Sequence, residues 1–226
     1  MFAESKKILY LQRKNSKPFY NMKRLSLAIA LLCSTMMLSA QETIKVNYQG
    51  ARPSISDFAW ALLSNYVWNE EDDVLDESTN AAKQAWTNYR KGIPLEEGDK
   101  ITVDQKNGYA VYESCDGNDC LIVEMCYWNE SDQKHKLFAY NVKCYRDGAY
   151  SPGQFDGLLF YRYNNATKKM TSCEAPGFEV EFGTEDGAWV CYDLPRVGKD
   201  IIYTEWKDNK KKRQKTLKWN GRKFSF

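Results

Sequence analysis

Residues 121–141 read LIVEMCYWNESDQKHKLFAYN. Two runs rich in β-branched and aromatic residues flank the polar loop Asn129–Lys136, the pattern of an antiparallel hairpin. Val123, Met125 and Tyr127 alternate with Glu124, Cys126 and Trp128, so the two sets point to opposite faces of the sheet. One face can be buried while the other meets a second layer or solvent.

Strand patterns continue on both sides of this hairpin. Upstream, Ile101–Asp104 and Tyr109–Glu113 enclose Gln105-Lys106-Asn107-Gly108, whose Asn-Gly pair signals a tight turn. Downstream come Val142–Tyr145, Leu158–Tyr163, Phe178–Phe182, Trp189–Leu194, Ile201–Trp206 and Thr216–Trp219, separated by Gly, Pro and Asn clusters. Asn220-Gly221 then turns into Lys223–Phe226. Without the long crossovers that parallel pairing needs, these strands make an antiparallel sheet.

Before Ile101 the period is helical. Ile44–Tyr48 alternates as a first strand would, and Ser54 with Asp57 three residues on is a capping box. Ile55, Phe58, Ala59, Leu62, Leu63, Tyr66 and Val67 then mark one face of a helix. The acidic stretch Asn69–Glu77 leads to a second helix, capped at Ser78 or Thr79 and running to Lys91. Ala82, Ala85, Trp86 and Tyr89 form its buried side, and Gly92 ends it. The expectation is an α+β fold, two N-terminal helices on an antiparallel sheet (meander, sandwich or barrel-like) of about nine strands.

Residues 1–40 read as a leader. Lys23 and Arg24 precede the apolar run Leu25–Leu32, and Leu38-Ser39-Ala40 offers a cut after Ala40, the order of a secretory signal. The run is too short and too interrupted by Ser for a membrane-spanning helix. Residues 1–21 stand upstream of a natural start at Met22 and take no part in the fold. Cleavage leaves a single domain, 41–226, of a bacterial protein that is periplasmic, on the cell surface or secreted. Of 32 basic and 30 acidic residues the leader holds seven and one, so 25 and 29 remain. A mildly acidic domain gives no support to nucleic-acid binding, and no transmembrane segment follows the leader.

Six cysteines follow the leader, an even number that suits disulfides in an exported chain. Cys115 and Cys120 bracket the turn sequence Asp116-Gly117-Asn118-Asp119 and are the best-placed pair. No close-spaced Cys pair and a single histidine, His135, leave no zinc motif, and no metal or cofactor is expected. Gly-x-Ser-x-Gly, Walker and His-Glu-x-x-His motifs are absent, and His135 lies in a charged loop between Lys134 and Lys136. Catalytic residues are therefore not assigned. The basic run Lys207–Lys215 reads as a charged hairpin tip, which also discourages edge pairing.

All seven Trp, with 13 Tyr and 8 Phe, lie beyond the leader. Most serve a sheet protein as core and cross-strand partners. Trp128, Tyr161 and Trp206, near the ends of their strand patterns, are the candidates for stacking on a ligand such as a sugar ring.

The segments 53–58 (PSISDF), 100–108 (KITVDQKNG), 123–129 (VEMCYWN), 134–137 and 217–224 (LKWNGRKF) resemble a group of exported proteins of gut-type Bacteroidetes that has no established activity. The resemblance spans nearly all of the chain after the leader. It implies an exported bacterial protein and transfers no site residue. Export, abundant aromatics and the lack of a catalytic motif point to a non-catalytic binding or interaction protein with a glycan or cell-envelope protein as partner. The alternative is a hydrolase that cleaves polysaccharide with two carboxylates.

Overall fold

The computed structural model describes residues 43–65, 77–152 and 157–226. The leader and its cut, the helical positions Tyr66 and Val67, and the acidic stretch over 69–76 lie outside the described residues.

The hairpin of 121–141 is the centre of the larger sheet. β4 (Asp119–Asn129) and β5 (His135–Arg146) pair antiparallel, from Cys120 opposite Tyr145 to Asn129 opposite Lys136. On one side β4 is followed by β3 (Tyr109–Asp116) and β2 (Asp99–Asp104). On the other, β5 pairs with β7 (Gly157–Asn164), β7 with β8 (Lys169–Cys173), and β8 with β1 (Thr43–Lys45). The short β6 (Ala149–Tyr150) folds back on the end of β5. A second sheet holds β9 (Trp189–Asp193), β10 (Ile201–Lys207), β11 (Lys210–Trp219) and β12 (Phe224–Ser225) in the order β12-β11-β10-β9. All these pairings are antiparallel.

Between β1 and β2 stand α1 (Ile55–Asn65) and α2 (Glu77–Lys91). The expected capping box forms: the Asp57 carboxylate accepts from the Ser54 amide at 2.8 Å and its hydroxyl at 2.7 Å. Ile55, Phe58, Ala59, Leu62 and Leu63 are buried on the expected face of α1, and Ala82, Ala85 and Trp86 on that of α2. Phe58 reaches across to Tyr127, Phe138 and Tyr163, with ring centroids 5.0–5.6 Å away. Tyr89 departs from the expectation: it is 45% exposed and rests edge-on against Trp86 from outside.

The alternation of β4 is what makes three layers. Val123 and Met125 face the helices together with Ala110, Tyr112, Phe138, Tyr140 and Val142. Cys126 and Trp128 face the other way with Leu137, Ala139 and Phe160, and there they meet Val190, Tyr192, Tyr203, Leu217 and Phe224 of the second sheet. A large sheet with apolar side chains on both faces needs a cover on each. This corrects the expected single sheet of about nine strands: the described residues form twelve strands in two sheets, with the helices inserted between β1, where the alternation from Ile44 begins, and β2.

Two further expectations fail for local reasons. Residues 178–182 form no strand, because the Glu181 amide donates to the Tyr192 hydroxyl (2.9 Å) while Phe178 and Val180 pack on the second core. Most of the basic run is strand and not a hairpin tip. Only Asp208 and Asn209 turn the chain, both with positive φ (51° and 58°), the two-residue geometry that matches sheet twist.

A polar clasp joins the two sheets. The buried Glu124 carboxylate accepts from Tyr109, Asn141 and the Leu194 amide, each at 3.1 Å. It pairs with Lys143 at 3.0 Å, and Lys143 reaches Asp193 at 2.7 Å. Asn141 also donates to the Tyr192 carbonyl at 2.8 Å. Glu124, Asn141 and Lys143 belong to the larger sheet, and Tyr192 and Asp193 to the smaller. Buried charges are tolerated when paired and fully hydrogen-bonded, and these are.

Candidate functional site

At the turn end of the β4–β5 hairpin three stretches of chain enclose a pocket of about 430 Å³. Tyr48, Ala51, Arg52 and Pro53, the approach to α1, form one wall. Asn129, Glu130 and Gln133 of the hairpin turn form the second, Asn165 of the β7–β8 turn closes the third, and His135 and Lys136 open β5 beneath them.

The turns are tied to one another. The Asn165 amide donates to the Lys134 carbonyl at 3.0 Å and the Ser131 amide to the Gly221 carbonyl at 2.8 Å. The Asn165 side chain donates to the Gln133 carbonyl at 3.1 Å. On the far wall the capping box fixes where α1 starts, and with it the place of Arg52.

His135 is a brace between turns. Asn164 uses its Oδ1 to accept from the Ala166 and Thr167 amides (2.9 and 3.1 Å), so its Nδ2 faces His135 Nε2 at 3.1 Å. Nε2 must then accept, and the proton on Nδ1 is donated to Asp132 at 2.6 Å. That hydrogen bond is the main cause that holds the Asp132 carboxyl low, at about 2. The adjacent Glu130 takes Arg162, with Nε at 2.8 Å on one oxygen and a guanidinium nitrogen on the other. Glu130, Asp132 and His135 offer ligand atoms within 4.8 Å of one another, yet protein donors and acceptors already engage all of them. The cluster is a salt-bridged brace, and no metal is assigned to it.

Lys136 is different. It is 7% exposed, its ammonium hydrogen-bonds Asn129 Oδ1 and lies 4.6 Å above the Tyr127 ring, and no carboxylate reaches it among the described residues. Burial first, then the charge of Arg52, lowers its pKa from the ordinary value. The ring it rests on is placed by Gly108: a Cβ there would come within 2.9 Å of Tyr127, at a φ of +65°. Arg52 is exposed and makes no ion pair among the described residues.

The ligand-stacking candidates are elsewhere and in the core. Trp128 is buried against Phe224, Trp219 and Phe160, and its indole N–H donates to the Lys199 carbonyl at 2.8 Å. Tyr161 packs against Phe138, and Trp206 against Tyr145 with Lys211 over its ring. All three are buried, against the expectation of exposed stacking rings, and only Tyr161 borders a groove, the one beside β7. β4 and β10 each run on past the ring, to Asn129 and Lys207, which puts these positions inside the sheets. Cys115 and Cys120 form the expected disulfide across the Gly117 turn. Arg52 and Lys136 carry no signal in the sequence, Lys136 because it closes the polar stretch Asn129–Lys136 and reads as solvated loop.

A wider groove of about 580 Å³ lies between β7 and residues 174–180. Its apolar lining, Leu158, Phe160 and Phe178, belongs to the second core, and Glu174 and Glu179 are the charged groups beside it, with no Lys or Arg among the lining residues. No described helix is long and apolar enough to cross a membrane. Comparison of the chain with family models, curated proteins and solved structures finds no match, and the functional reading therefore rests on the pocket.

Proposed function

We propose that this chain is an exported, non-catalytic binding protein and that a glycan is its ligand, held in the pocket between the α1 approach and the β4–β5 turn. The leader pattern supports export, and a disulfide suits an oxidising compartment. The observation that carries the binding reading is the lining of the pocket. Three carboxamides (Asn129, Gln133 and Asn165), the Tyr48 phenol and the Arg52 guanidinium surround a volume in the usual range for small ligands. A carboxamide donates and accepts side by side, as a sugar hydroxyl does, so these groups match a hydroxyl-rich partner.

The alternative hydrolase would draw its two carboxylates from Glu130 and Asp132, the acids nearest the pocket. Glu130 is committed to Arg162 through both oxygens, and the Asp132 carboxyl is held low by the hydrogen bond from His135, so the pair lacks the proton donor that hydrolysis needs. The arrangement favours binding over hydrolysis.

A glycan array followed by calorimetry on the hits tests the proposal. Ala51, small, exposed and in the pocket wall, is the position to block. Ala51→Trp should abolish binding with an unchanged melting temperature. Absence of binding to every saccharide, or full affinity in Ala51→Trp, would overturn the proposal.

A further inference from the structure

The two most buried lysines of the described chain stand on the same strand, β5, and are treated in opposite ways. Lys143 is matched by Glu124 and Asp193 at 3.0 and 2.7 Å. Lys136 has a neutral amide and an aromatic face in place of a carboxylate. A buried cation without a counter-ion is costly and persists only where something compensates it. The nearest acid on the pocket wall, Glu130, is committed to Arg162. Arg52 adds a second unneutralised cation close enough to act on Lys136. An open volume with one buried and one exposed positive charge and, among the described residues, no free carboxylate is an incomplete ion site.

We infer that the glycan taken by this pocket carries an oxyanion, that of an acidic sugar residue, seated between Lys136 and Arg52. The inference rests on the glycan reading above and narrows it. Lys136 supplies a point charge from the floor, and Arg52 supplies a planar fork from the rim. The carboxamides of Gln133 and Asn165 are then left for ring hydroxyls. A carboxylated and a sulfated sugar present the same kind of oxygen, and the two are separated by the probes.

The experiment is calorimetry of the full mature chain with three oligosaccharides of one length: galacturonic acid, sulfated galactose and neutral galactose. At least one acidic form should bind about ten- to a hundred-fold tighter than the neutral one, the value of a charge-assisted hydrogen bond. Lys136→Met should bring the acidic form down to the neutral level, and Arg52→Gln should remove part of the preference. Stronger binding by the carboxylated or by the sulfated form identifies the anion. Equal affinities for acidic and neutral forms would overturn this inference and leave the glycan reading in place. Failure of all three to bind, when array saccharides also fail, would remove both.

Discussion

At the scale of the residue, the two lysines of β5 give the sharpest contrast in the molecule. Lys143 completes an internal ionic cluster, so Lys143→Met strands Glu124 without its cation and should cost about 3–5 kcal/mol in urea unfolding. Lys136 compensates nothing, and Lys136→Met, of similar reach and apolar, should leave stability equal or higher. A ligand site held at the expense of stability behaves in this way. The signs of the pH response differ too. The Lys143 pKa is raised in the fold by Glu124 and Asp193 against the opposing effect of burial, so its contribution is complete below the ordinary value of 10.5 and is lost only as pH rises through the raised one. The Lys136 pKa is lowered, so the folded state binds fewer protons there, and stability rises with pH between that lowered value and 10.5. Melting temperatures of the Lys136→Met protein should lack this rise. A Lys136→Met protein that unfolds as easily as Lys143→Met would show that Lys136 is structural. Neither role was legible in the sequence, since Glu124, Asn141 and Lys143 alternate with apolar residues as solvent-facing positions do. The partners of Asn141 and Lys143 across the sheets, Tyr192 and Asp193, arrive only on β9, and the Leu194 amide that Glu124 accepts from follows directly after it.

At the scale of the element, regular patterns were legible wherever one strand or helix accounts for its own residues. The α1 face and its capping box, the β4–β5 hairpin and the Cys115–Cys120 turn stand where the sequence places them, because each is fixed by local spacing. What escaped depends on neighbours. Residues 178–182 carry a strand-like pattern but give an amide to the Tyr192 hydroxyl, and Lys210–Lys215 lack apolar alternation yet pair along β10. The capping box also belongs to the pocket, since it sets the first turn of α1 immediately after Arg52 and Pro53. Asp57→Ala removes two hydrogen bonds to Ser54 and should cost about 1 kcal/mol of stability. It should also weaken saccharide binding although Asp57 does not line the pocket. Unchanged affinity in the Asp57→Ala protein would mean that the pocket wall does not depend on where α1 begins.

At the scale of the whole molecule, three layers divide the labour. The larger sheet carries one core under the helices and another under the smaller sheet, and the clasp at Glu124 locks the two sheets in register. Aromatic residues fill these cores, as the sequence reading expects of most of them, and Trp128, Tyr161 and Trp206 are buried with the rest. At the turn end of the central hairpin two turns and the α1 approach meet around a buried charge that no carboxylate reaches among the described residues. This arrangement is invisible in sequence because its contributors, Tyr48, Arg52, Gln133, Lys136 and Asn165, are scattered and individually ordinary. The proposed function puts the ligand at this end and not on an aromatic surface. Backbone amide NMR of the labelled chain from residue 41 onward, titrated with the tightest saccharide, decides between the two. Shifts should concentrate at Arg52, Asn129, Gln133, Lys136 and Asn165, with the amides around Trp206 and along β11 unmoved. Shifts centred on β9–β11, with the pocket amides silent, would contradict it.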